Sequence, residues 1–202
     1  MPRPLPLLLT VFIVSGACER APAEPQVRAP TVPGAPGSPP TLAEAARRLG
    51  AALDAAVGEV VPVGAPAPPG ARVVGFTRGG MPAAALVDAD RAYVGRDGAE
   101  RALAMWSARG ETPDPGTLAR TVGALVYPGA AVLTGAEARA PDGSTGERGP
   151  RPALVSHPGG GRVLTFSIVI PEGGRGAGLH VARWRWTDSG LLIEASPHPE
   201  RR

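Results

Sequence analysis

The segment RVLTFSIVI, residues 162–170, sets Leu164, Phe166, Ile168 and Ile170 at every second position. Side chains of an extended chain point alternately to its two faces, so this spacing reads as a strand with one apolar face against a core. Its neighbours in sequence repeat the pattern. Residues 153–156, 179–187 and 191–195 are short β-prone runs, separated by HPGGG, PEGGRGAG and DSG. Consecutive strands joined by glycine-rich turns predict an antiparallel meander. In the last run Leu191, Ile193 and Ala195 form the expected apolar face.

Upstream, the apolar period changes from two to between three and four, which predicts helices. Residues 41–44, TLAE, have capping-box spacing ahead of a stripe at Leu42, Ala45, Ala46, Leu49, Leu53 and Val57. Residues 97–100, DGAE, are expected to cap a second helix, with Ala99, Ala102, Leu103 and Trp106 on one face and Gly110 as its stop. Asp114 and Pro115 stand in the N-cap and N1 positions of a third, striped by Leu118, Val122 and Leu125 and ended by Pro128 and Gly129. Between the first two helices, 71–77, 83–87 and 91–95 read as strands, with 60–70 a proline-rich loop. Residues 131–134 form another short strand and 137–151 a polar loop. The expected class is α+β: an antiparallel sheet, including the C-terminal meander, with about three short helices on one face. The domain is expected over 41–197, followed by a polar tail at 198–202.

Glycine (28) and proline (25) together make a large share of the 202 residues, a composition that borders on disorder. The prolines are unevenly placed. Ten precede residue 41, and residues 19–40, ERAPAEPQVRAPTVPGAPGSPP, hold seven of them with almost nothing large and apolar. Such a stretch buries too little surface to offset its ordering entropy and reads as a tether, with a reach of at most ~70 Å as polyproline II. All 21 basic residues are arginine, scattered among 18 acids for a net charge of +3. Without a basic run, no nucleic-acid partner is expected.

The single cysteine is Cys18, which rules out a disulfide scaffold. It closes a run with one cation, Arg3, an apolar stretch over 5–14 and the small residues Ser15, Gly16 and Ala17. That is the build of a secretory signal peptide over 1–17, too short to span ~30 Å of hydrocarbon. Ser15-Gly16-Ala17-Cys18 resembles the lipobox of bacterial lipoproteins, over the first 18 residues alone. It departs at Ser15, where the pattern usually has a branched apolar residue, and in having Pro6 within the apolar stretch. The resemblance implies that Cys18 becomes the acylated first residue of the mature chain, so the membrane is the expected partner. Glu19, in place of the Asp that often marks inner-membrane retention, implies an outer-membrane protein facing the periplasm. The alternative is a soluble secreted or periplasmic protein cut after Ala17.

No segment carries a recognisable reaction. The glycine runs 159–161 and 173–178 lie between strands, whereas a phosphate cradle needs a helix behind the glycines. His157, His180 and His198 show no metal-binding spacing, and no cofactor is expected. Asp88 and Asp90 open like a calcium loop, but Ala92, Tyr93 and Ala99 fill its fifth, sixth and twelfth positions, so Asp88-Ala89-Asp90 reads as a hairpin turn. Asp142, Ser144, Ser156 and His157 supply the residue types of a hydrolytic triad without its spacing, and there is no G-x-S-x-G elbow.

One local oddity remains, Arg183-Trp184-Arg185-Trp186. In a strand it places the arginines on one face and His180, Trp184 and Trp186 on the other. These indoles and guanidiniums are a candidate surface for a sugar or anionic glycan; the favoured reading is that the tryptophans fill a core short of aromatics while the arginines face water and one pairs across strands with Glu194. The favoured function is a lipid-anchored, non-enzymatic module that binds or scaffolds an envelope protein or cell-wall partner. The alternatives are a small-ligand or glycan binder using Trp184 and Trp186, and an enzyme of unidentified class.

Overall fold

In chain order the elements are α1 (Leu42–Leu53), β1 (Val61–Pro62), β2 (Arg72–Arg78), β3 (Met81–Val87), β4 (Ala92–Val94), α2 (Arg96–Ala108), α3 (Pro115–Val126), β5 (Ala131–Leu133), β6 (Ala153–Ser156), β7 (Arg162–Ile170), β8 (Gly178–Trp186) and β9 (Leu192–Glu194). This is the computed structural model of the chain, and it describes residues 37–134, 150–174, 176–187 and 190–195. The apolar leader, Cys18, the proline-rich segment up to residue 36, Asp142, Ser144, Asp188, Ser189 and the 198–202 tail with His198 lie outside the described residues.

The class is α+β with antiparallel pairing throughout. Strands β1 to β4 form one sheet in sequential order, and β5, β7, β8 and β9 form a second in which β6 also pairs with β7. The predicted meander is therefore present. Its companion sheet arises from the strands upstream of α2.

The layering differs from one sheet with helices on a single face. Val73, Ala84 and Leu86 share a core with α2, α3 and, from the second sheet, Leu164, Phe166, Ile168 and Trp184. Val74, Phe76, Ala85 and Val87 join Ala45 and Leu49 of α1 in another. Adjacent residues of β2 and β3 thus enter different cores, as strands covered on both faces require. Helices α2 and α3 pack against both sheets, while α1 covers the opposite face of the first.

Two helix starts form as the sequence predicts. Thr41 Oγ1 accepts the Glu44 N–H at 3.2 Å and Glu44 Oε2 accepts the Thr41 N–H at 2.8 Å, a complete capping box. Asp114 Oδ1 accepts the Thr117 N–H at 3.0 Å, with Pro115 in the first turn. Helix α2 departs from expectation: it begins at Arg96 behind Gly95, and Asp97 lies inside the first turn without capping it. The link from β4 to α2 is that one residue, and its φ of 59° favours glycine. Ordered contacts also begin before Thr41, where the tether was expected to end: Pro40 is buried and its carbonyl accepts from Arg72 Nε at 2.7 Å.

Strand β9 corrects another expectation. Leu192 is the inward residue, 1% exposed, whereas Leu191 and Ile193 are 50% and 42% exposed. Leu192 pairs with Trp186 and so shares its face, because residues directly opposite in a sheet point the same way. Leu192 N–H also donates to Glu100 Oε1 of α2 at 3.0 Å, which occupies a donor on the exposed edge of the sheet.

Candidate functional site

Strand β8 carries the residues singled out in the sequence, and its register with β7 separates them. Thr165, Leu164, Val163 and Arg162 oppose Arg183, Trp184, Arg185 and Trp186 in turn. Leu164 belongs to the core between sheet and helices, so Trp184 faces inward and Arg183 and Arg185 face outward. The four therefore do not make one surface. Trp184 is 5% exposed, donates its indole N–H to the Tyr127 hydroxyl at 3.1 Å, and meets that ring edge-on at 6.3 Å. Trp186 is half-buried and lines a cavity of about 400 Å³ with Thr112 and Arg162. Arg185 donates to the carbonyls of Gly159 and Gly160, bracing the turn between β6 and β7. Its expected partner Glu194 stands opposite Trp184 on the other face, and Arg185 opposes Ile193 instead.

Following the inward face along β8 leads to a residue that sequence reasoning missed. Tyr127 ends α3, and its ring also lies edge-on to Phe166 at 6.5 Å. Beside it opens a cleft of about 160 Å³ lined by Tyr127, Ile168, Ile170, His180, Ala182 and Glu194. Burial pushes the Tyr127 phenol above its ordinary range, against the bond from Trp184, and the Glu194 charge adds to the rise. His180 Nε2 bonds the Gly176 carbonyl. A carbonyl only accepts, so Nε2 carries a proton, which leaves Nδ1 as the second ring nitrogen.

A second polar cluster surrounds Asp88, which is 2% exposed. Its Oδ1 accepts from the Asp90 and Arg91 N–H groups at 2.9 and 3.1 Å, and its Oδ2 from Arg101 Nε at 2.8 Å, with Arg101 Nη2 in ion-pair contact at 2.8 Å. Arg48 donates to its carbonyl. Burial alone would raise the carboxyl, but the Arg91 and Asp90 N–H groups and the Arg101 guanidinium together hold it below the usual carboxylate range. The aspartate turn forms as expected. Arg91 and Arg101 lie 4.6 and 5.4 Å from the centre of the Tyr93 ring, a cation–π arrangement next to an open hollow of about 630 Å³. Three arginines and two aspartates share that hollow's wall, so its charge is mixed: Arg48, Arg78, Arg91, Asp90 and Asp97.

The remaining chemistry-bearing groups belong to turns. His157 Nδ1 accepts the Gly159 N–H at 3.0 Å in the turn between β6 and β7, and Gly160 and Gly161 there have φ of 82° and 79°. A strand, not a helix, follows these glycines. Of the triad residue types, only Ser156 and His157 fall within the described residues. No protein-family model, curated protein or solved structure matches the chain. Its functional reading rests on its own residues.

Proposed function

We propose that this chain is a lipid-anchored protein of the cell envelope whose folded part is a non-enzymatic binding or scaffolding module. One observation carries the proposal: the chain's single cysteine stands at position 18, behind an apolar stretch and Ser15-Gly16-Ala17, where acylation would need it. One acyl chain binds membranes only marginally and two or more bind stably, so several on Cys18 would hold the protein in place. The proline-rich residues 19–40 would then set the domain off from the bilayer. The binding reading, over an enzymatic one, is supported by how the versatile groups are used. His157 bonds within its own turn, His180 bonds back from β8 to Gly176, and Asp88 is fully engaged by two N–H groups and Arg101.

The test is incorporation of labelled palmitate in a bacterial host, followed by separation of membrane and soluble fractions. The wild-type chain is expected to carry label and sediment with membranes, and Cys18→Ser to lose the label and become soluble. A Cys18→Ser protein that keeps its membrane association would overturn the anchor. For the binding module itself, a small ligand has more support than a stacked glycan, because Trp184 offers no open ring face while an apolar cleft with polar groups adjoins Tyr127.

A further inference from the structure

We infer that the cleft between the end of α3 and strands β7, β8 and β9 is a binding site for a short alkylammonium group, a primary amine on about four carbons. The inference rests on the binding-module reading and names the ligand class for it. The cleft is small, about 160 Å³, and suits an occupant of a handful of non-hydrogen atoms. Ile168, Ile170 and Ala182 give it an apolar wall suited to methylene groups.

The polar groups select a cation. Among the described residues of the lining Glu194 is the charged one, and it takes part in none of the ion pairs among the described residues, which join Arg96 to Glu100 and Arg101 to Asp88 and Asp90. Arg183, its neighbour on β8, points to the opposite face of the sheet, because Glu194 is in register with Trp184. A carboxylate with no ion-pair partner among the described residues repels an anion and holds an ammonium more strongly than a neutral alcohol. His180 accepts through Nδ1 when Nε2 carries the proton, and the Tyr127 oxygen, which already takes the Trp184 N–H, has a second lone pair to offer while keeping its own O–H to donate. An ammonium has three N–H donors and no acceptor, which matches Glu194, His180 and Tyr127. The geometry is preset by regular structure, with Glu194 held by the β8–β9 pairing and Tyr127 by Trp184.

The experiment is a calorimetric titration of the full chain, purified in detergent, with n-butylammonium chloride. Saturable binding at a roughly millimolar dissociation constant is expected for so small a ligand. Sodium butyrate, with the same chain and the opposite charge, is expected not to bind. Glu194→Gln, at an exposed position, should keep the fold and bind butylammonium about tenfold more weakly. Glu172→Gln, in the turn between β7 and β8 and outside the lining, should bind as the wild type does. N-acetyl-lysine amide distinguishes the source: weaker binding than butylammonium assigns a free amine, and equal or tighter binding an amine presented on a peptide side chain. Absent saturation, equal binding of butyrate, or unchanged affinity in Glu194→Gln would each overturn the site. Amine recovered chemically altered would leave the site standing and refute the non-enzymatic reading. Palmitate labelling tests the anchor separately.

Discussion

Asp88 and Tyr127 show what a single residue discloses before its partners are known. The turn at Asp88 was legible because both N–H groups it accepts belong to Asp90 and Arg91, two and three residues on. Arg101 was not, since it arrives from α2. Replacing Asp88 with Asn should destabilise the protein by about 2 kcal/mol at pH 7, because a nearly buried charge pair is broken from one side. The native carboxyl is held below its ordinary value of 3.8, so its stabilisation is complete above that value and is lost as pH falls through the lower native one. Urea midpoints measured from pH 7 to pH 2.5 should therefore fall more steeply for the wild type than for Asp88→Asn. Equal slopes would mean that Asp88 contributes nothing to acid sensitivity. Tyr127 carries no local signal between the apolar stripe of α3 and Pro128, and only the fold brings Trp184, 57 residues away, to its hydroxyl. Tyr127→Phe should cost about 1–2 kcal/mol, measured by the same unfolding, by leaving the Trp184 N–H unpaired in the core.

Among the elements, the helices were more legible than their neighbours. A capping residue and a one-sided stripe are local signals, whereas which face of a strand is covered depends on what packs against it. In β2 and β3 apolar residues occur at both parities, Val73 with Val74 and Leu86 with Val87, and the structure buries both faces there. Glycines within helices carry the same lesson. At Gly123 of α3 an added Cβ would lie 2.3 Å from Val132 Cγ2, so β5 approaches the helix where only glycine fits. Gly123→Ala should destabilise by about 1–3 kcal/mol despite its gain in helix propensity. Gly50 of α1 is the control: its added Cβ meets nothing closer than the Ala55 carbonyl at 3.4 Å, and Gly50→Ala should stabilise by up to about 1 kcal/mol. Thermal unfolding of the two variants should move in opposite directions, and parallel shifts would refute the close α3–β5 packing.

For the whole molecule, the chain divides its information unequally. The class and the C-terminal meander could be read from periodicity, because one strand with four alternating apolar residues fixes which face is inward. The α2–α3 pair packed against both sheets could not, since that arrangement is set by long-range contacts between segments that look separately complete. The candidate site was half visible: the strand that carries it stood out as Arg183-Trp184-Arg185-Trp186, but the cleft lies beyond that motif, at Tyr127, His180 and Glu194. The proposed anchor comes from a different level altogether, one cysteine and the seventeen residues before it. Mass spectrometry of the amino terminus of the protein isolated from bacterial membranes examines it without intermediaries. The mature chain is expected to begin at Cys18 and to carry acyl chains there; an unmodified Cys18, or a mature chain beginning elsewhere, would contradict lipid anchoring.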